Sequence, residues 1–417
     1  MALEFKVRRL PEFCEKLLSP ITGISFTAVV LVGASMTAAG LVGAAILISP
    51  ENDWRELAVD PWDMATYLDS ARWVIDGGRL YREVPSVYPL FPNIIFATLR
   101  YLGNLLHPGK FGFYALWIAS TWVIYLNALY RVATGTTMLA ALAWLAPAPI
   151  YFAVFRFDIY PAVATLMSLF AIRRASYIEG AIWLGVAIAL KGYALWLLPA
   201  YCVFMVYQRG FVAAIEVGAL AVAPMTLSVL ATLTFAGWEG LVAPFSFHAL
   251  RTLNGESIYN AINYSFSVPV ISNGSEVRWV AQSLQVGCAL TAAAMRPRSF
   301  DDLVNTFLFS VLGFMSFSVF HSPQYVLWIL PLVSFSRSWV MLISAIFLSW
   351  LSYFYYPIAY YQLGHAGSFQ AAIIGVSLLH LFMMFLAARA HFQATIGYPK
   401  NSSGKRLSSA QPKGIIK

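Results

Sequence analysis

Residues 24–48, ISFTAVVLVGASMTAAGLVGAAILI, run for a full bilayer thickness without one charged side chain. A helix needs about 20 consecutive apolar residues to cross the ~30 Å hydrocarbon layer, so this stretch reads as a membrane span. It is too long for the hydrophobic region of a signal peptide and lacks a convincing cleavage site, so it reads as a retained span. The same test is met downstream by Met138–Phe155 and Val340–Ile358, which are also free of charge. The whole chain follows suit. It is 59% hydrophobic and 11% charged, against roughly 25% charged in soluble domains. Its mean hydropathy is +0.69. Such a surface cannot be mostly water-facing, and the expectation is an all-α integral membrane protein.

Working outward gives about twelve transmembrane helices, near residues 24–48, 112–129, 138–155, 159–172, 180–191, 193–207, 211–236, 278–295, 302–320, 325–336, 338–356 and 368–389. With a cytoplasmic N-terminus, the short inner connections carry Lys6, Arg8, Arg9, Arg131, Arg173, Arg174, Arg209, Arg296, Arg298 and Arg337. That bias is the positive-inside pattern. It assigns the net charge of +8 to orientation rather than to nucleic acid, and both termini to the cytoplasm. The polytopic domain then covers 1–395, followed by a Ser/Gly/Lys-rich basic tail, 396–417, with the composition of a disordered segment. Two long connections lie outside, 51–110 and 237–277. The first is acidic and contains the apolar stretch Tyr88–Leu106. Crossing there would move most basic loops outside, so this stretch reads as a re-entrant or interfacial helix, in keeping with Pro89 and Pro92.

Cys14, Cys202 and Cys288 have neither disulfide nor zinc spacing. No phosphate-cradling or dinucleotide-binding motif occurs, and no internal repeat of the kind found in two-halved transporters is visible.

Ionisable groups at membrane depth are costly and therefore candidates for function. They gather on the outer side: Asp60 and Asp63, Arg156 and Asp158, Lys191, His248, Arg251 and Glu256, and His321. Each also has a plain structural reading. Asp63 would cap a loop helix, Lys191 would snorkel from a helix end, Arg156 and Asp158 would form an internal ion pair, and His321 would pack. His248 and Arg251 would be exposed loop residues, and Glu216 a hydrogen-bonded group within a span. The sequon at Asn273 carries no weight.

Four pieces in order, from about Asp60 to Pro331, carry a resemblance. They are Trp62-Asp63-x-x-x-Tyr67 with Gly77-Gly78-x-x-Tyr81 and Tyr88-Pro89-Leu90; Arg156-Phe157-Asp158; Gly185 to Tyr193 through Lys191; and Ser322-Pro323-Gln324-Tyr325-x-x-Trp328-x-x-Pro331. Together they resemble the polyprenol-phosphate-mannose-dependent α-mannosyltransferases of the GT-C superfamily, although Ala194 stands where that family usually has proline. The resemblance implies a GT-C architecture and transfer of a hexose, mannose above all, from a polyprenyl-phosphate sugar to a glycolipid or glycan acceptor. Transfer would occur on the extracytoplasmic side, with inversion and no cofactor.

On that reading Asp63 is the general base, with Asp60 as its rival. Lys191, Arg156, His321 and Arg251 would contact the donor phosphate, and Tyr67, Tyr88, Asp158, His248, Glu256 and Gln324 the substrates. No metal site is expected, since Asp60 and Asp63 alone would hold a divalent ion poorly. The competing class is a transporter or flippase of lipid-linked sugars.

Overall fold

The computed structural model describes residues 61–249, 253, 257–266, 270–272, 274–360 and 367–397. The expected first span, 24–48, lies outside these, as does the basic tail beyond Gly397. Among the described residues the protein is all-α, with a lone Leu80–Val84 bridge in place of any strand.

Among the described residues four helices are long and apolar enough to cross a membrane: Lys110–Gly135, Phe211–Phe247, Trp339–Ala359 and Gln370–Gln393. A fifth is available if the bent pair Met138–Trp144 and Pro147–Phe155 counts as one span. The chain begins with α1 (Pro61–Ser70), α2 (Leu90–Leu106) and α3 (Lys110–Gly135). The bent pair follows as α4 (Met138–Trp144) and α5 (Pro147–Phe155). They meet at 51°, because Pro147 and Pro149 begin a new helix where neither ring nitrogen can donate to a continuing ladder.

Next come α6 (Ile159–Arg173) and α7 (Tyr177–Leu190), which pack closely on one another, and α8 (Leu198–Arg209). The segments expected as spans 180–191 and 193–207 are thus short helices joined by a 3-10 turn, Gly192–Leu197. The helix α9 (Phe211–Ala249) outruns its expected end at 236 and is broken at Gly237. Beyond it lie α10 (Ile258–Tyr264), α11 (Ser275–Ala294) and α12 (Phe300–Ser316). The eight-residue α13 (Val326–Val333), then α14 (Trp339–Tyr353) and α15 (Gly367–Gly397) complete the bundle.

The two ends of this bundle differ in chemistry. At one end the turns carry basic residues that tie neighbouring helices together. Arg173 donates to the Gly135 carbonyl at 2.8 Å, Gln208 donates to the Arg298 carbonyl at 2.6 Å, and Arg337 pairs with Asp301 at 2.7 Å. A Ser299–Asp302 capping box starts α12 there, where its first N–H groups need acceptors. The other end holds the α5–α6 turn with Arg156 and Asp158.

The helix α2 belongs to that second end. It runs antiparallel to α3, whose far terminus at Gly135 lies against Phe170 at the basic end. Its first residues reach the turn, with the Tyr88 ring 6.1 Å from that of Phe157. The stretch expected as re-entrant or interfacial therefore folds back as one arm of a hairpin. Gly103 and Gly112 make the hairpin possible, since a Cβ at 103 would lie 2.6 Å from the Gly112 carbonyl carbon.

A side chain at this crossing forces the helices apart. Gly103→Ala should cost about 1–3 kcal/mol, the usual range for overpacking. Gly287→Ala, with nothing within 4 Å of the new methyl, should be neutral or stabilising. Thermal unfolding of the two detergent-solubilised variants measures the contrast, and equal melting temperatures would refute the tight crossing.

Candidate active site at the Arg156–Asp158 turn

The site begins with the backbone between α5 and α6. Arg156 ends α5 in an extended conformation and Asp158 opens α6. Both side chains are buried, at 5% and 1% exposure. A charge so placed must be neutralised by a close partner, because desolvation otherwise costs several kcal/mol. Each finds an opposite charge on another helix.

The Asp158 carboxylate accepts from Lys191 Nζ at 2.7 Å and from the Trp328 indole N–H at 2.6 Å, both on Oδ1. Lys191 is the residue at which α7 stops being helical, and its side chain is 22% exposed. Its ammonium also lies over the rings of Trp328 (5.3 Å) and Tyr325 (5.9 Å), within cation–π range. Trp328 is sandwiched, stacking on Tyr193 with centroids 4.4 Å apart and on Tyr325 at 3.6 Å. The Tyr193 hydroxyl is itself hydrogen-bonded to Thr165. A cation is therefore held between a buried carboxylate and an aromatic wall.

The second pair runs the other way. Arg156 Nε lies 3.3 Å from Asp63 Oδ2, and Nη2 donates to the Tyr356 hydroxyl at 3.1 Å. Asp63 sits in the first turn of α1, where the helix dipole favours a carboxylate, and its side chain is 33% exposed. Tyr67, one turn on, donates to the same Oδ2 at 3.3 Å and accepts from the Phe157 backbone N–H at 3.1 Å. Among the described residues Asp63 Oδ1 has no partner.

Tyr67 is fully buried, stacked on Phe96 and tilted against Trp117. In this position it orients Asp63 against the turn. Tyr88 is half-buried, with its ring edge-on to Tyr67 and its carbonyl accepting from Tyr81 and Asn93. The buried Asn93 amide organises that loop, also donating to the Pro89 carbonyl and accepting from Ser86.

His321 lies outside the helices, in the turn between α12 and α13 and 4% exposed. Its ring is 5.3 Å from that of Tyr325 and 4.9 Å from that of His380. Burial pushes its imidazole down to about 4, so at neutral pH it can donate a hydrogen bond but brings no charge. Gln324 is half-buried and accepts from the Ser322 hydroxyl.

The turn thus brings Asp63, Tyr67, Tyr88, Arg156, Asp158 and Lys191 together, and Tyr325 links Lys191 to His321 and Gln324. Asp60, Arg251 and Glu256, and the side chain of His248, lie outside the described residues. Sequence reasoning missed three partners. Trp328 stands in the last of the four motif pieces without a role, and its i, i+3 spacing from Tyr325 was the available signal. Tyr193 likewise closes a motif run. Tyr356 gave no signal beyond an aromatic-rich stretch.

Lys191 is the counter-ion of a buried carboxylate, so its removal should destabilise the fold. Lys191→Met alone should cost about 3–5 kcal/mol, the scale for breaking a buried pair. Combining it with Asp158→Asn should restore part of the loss. Thermal denaturation of both single variants and the double variant measures the coupling, and strictly additive losses would show that the two groups do not depend on one another.

Neither a protein-family model nor a curated protein sequence matches this chain, so the reading of the site rests on its own residues.

Proposed function

We propose that this protein is a multi-pass membrane glycosyltransferase of GT-C type. It transfers a hexose, mannose by the motif resemblance, from a polyprenyl-phosphate sugar to a glycolipid or glycan acceptor. The observation that carries the reading is the pairing at the turn. One carboxylate, Asp63, and one ammonium, Lys191, are partly exposed, while their counter-charges Arg156 and Asp158 are buried. A transfer from an activated lipid phosphate needs just this division, a base for the acceptor and a cation for the leaving group.

In the proposed reaction the acceptor hydroxyl gives its proton to Asp63 Oδ1 as its oxygen bonds to the anomeric carbon. Oδ2 stays engaged with Arg156 and Tyr67, which holds the carboxylate in place. The bond from that carbon to the phosphate oxygen breaks, and the polyprenyl phosphate leaves with the electron pair. Lys191 has three N–H donors, of which Asp158 takes one, so two are available to the phosphate. His321 and Gln324 supply neutral donors on the far side of Tyr325. A single displacement inverts the anomeric centre.

The gathering of Arg173, Arg298 and Arg337 at the opposite end favours a cytoplasmic placement of that end, with the reaction outside and both termini inside. It also accommodates the twelve spans read from hydropathy, the short helices then crossing as broken or tilted segments. The site lies at helix ends rather than at the midplane between related halves, which favours an enzyme over a flippase.

Two experiments test the proposal. Asp63→Asn should leave the protein folded, while transfer from purified polyprenyl-phosphate sugars to lipid acceptors falls by roughly 10²–10⁴-fold, the scale of lost acid–base catalysis. A folded variant with near-normal turnover would move the base elsewhere.

For the topology, cysteines at Asp76 and Lys110, both exposed and flanking α2, are placed in a background lacking Cys14, Cys202 and Cys288. An impermeant reagent applied outside intact cells should label both. Labelling of only one would mean that α2 crosses the membrane and that the assigned orientation fails.

A further inference from the structure

The break in α9 separates two helices with different surroundings. The first, 211–236, is about 26 residues long and spans on the order of 39 Å at 1.5 Å per residue. That exceeds the ~30 Å hydrocarbon core, so whatever follows starts at or beyond the membrane boundary. At Gly237 the backbone turns with φ 72° and ψ −168°, in the left-handed region that glycine tolerates best.

Arg82, from the loop before α2, secures the break. Its Nε donates to the Ala236 carbonyl at 3.0 Å, capping the first helix. A Cβ at 237 would come within 3.2 Å of its Nη2. Beside it the Tyr81 ring stacks on Phe235, and Tyr81 Cβ packs where a Cβ at Gly240 would come within 3.2 Å. The Tyr81–Arg82 strap therefore holds the start of the second helix, 238–249, against the end of the first.

Its composition does not suit water. Between Gly237 and Phe247 the only ionisable residue is Glu239. Gly240 and Pro244 are buried, whereas Trp238 is 69% exposed, Phe245 49% and Phe247 45%. Those aromatics continue the exposed apolar surface of the first helix, which includes Leu227, Leu230, Leu233 and Phe235. Trp279, near the start of α11, is equally exposed. An exposed apolar surface that ends in aromatics just past the hydrocarbon length is the pattern of interfacial anchoring.

We propose that helix 238–249 is an interfacial arm, seated in the headgroup–acyl boundary of the lipid bilayer at the same end of the bundle as Asp63 and Lys191. Its partner is the lipid surface itself, and the Arg82–Gly237 latch sets the angle at which it lies. The inference uses the membrane-spanning character of α9 and is independent of the glycosyl-transfer reading, so either can fail without the other.

Spin labelling of the full chain in lipid nanodiscs tests it without any activity. In the cysteine-free background, Phe245→Cys carries the label, with Trp238→Cys as a second site. Label at Phe347, on the exposed face of α14, is the hydrocarbon reference, and label at Asp76 is the aqueous reference. Power saturation with oxygen and a nickel chelate should place both arm labels between the references, within about 5–10 Å of the headgroup boundary.

Nickel accessibility equal to that at Asp76 would mean an arm in water and would overturn the proposal. Shielding from both reagents, or dipolar broadening, would mean that protein or a second copy of the chain covers the face, and would overturn it equally. Arg82→Ala should raise the mobility of the Phe245 label at least twofold, and an unchanged spectrum would remove the latch.

Discussion

The buried carboxylate of Asp158 is the constraint around which the rest is arranged. It is almost wholly shielded from solvent and carries its charge at the start of a helix inside an apolar bundle. Lys191 and Trp328 satisfy it from two other helices, so the positions of α6, α7 and α13 are set against one another by one oxygen atom. The partners need fixing in turn. The Tyr193–Trp328–Tyr325 stack holds the indole, and Thr165, on the same helix as Asp158, holds Tyr193. The ring of contacts closes on itself, which leaves the ammonium little freedom to leave its carboxylate.

Tyr67 does the corresponding work on the other side of the turn. Its hydroxyl is both donor and acceptor, joining the Asp63 carboxylate to the Phe157 amide. The ring is locked among Phe96, Trp117, Tyr88 and Phe157. The loop before α2, organised by Asn93, is therefore part of the same packed unit as the turn. The same loop reaches 154 residues along the chain to cap α9 through Arg82. One loop thus touches the tyrosine that orients the Asp63 carboxylate and the break in the long helix.

The all-α membrane character was legible because hydropathy is a property of composition, which survives any detail of folding. The charged residues of the site were legible for a related reason. A charge within an apolar window is rare, so Arg156, Asp158 and Lys191 stand out without alignment. Their pairing was not legible. Arg156 and Asp158 suggested one another as partners, yet the extended backbone at 156 sends one toward Asp63 and the other toward Lys191. Long-range pairs of this kind depend on which helices pack, and periodicity carries no such information. The spans blurred for a local reason. Hydropathy windows average over Pro147 and over the 3-10 turn after Lys191, so neither the bend nor the breaks between the short helices showed in them. Tyr356 was invisible because its role depends on a non-helical residue within an aromatic run.

The spacing of Asp158 and Lys191 bears on how such a chain enters a membrane. A lone ionised side chain is disfavoured as a segment partitions into lipid, by about 2.5–3.5 kcal/mol at a helix centre on insertion scales. Here the two charges lie on consecutive antiparallel helices, α6 and α7, joined by the short connection after Arg173. They can meet as soon as that hairpin has emerged, before α13 has been synthesised. Were α6 and α7 to insert as a unit, they would bury an ion pair instead of two separate ions. Trp328, 170 residues after Asp158 in the chain, would then meet a carboxylate already neutralised.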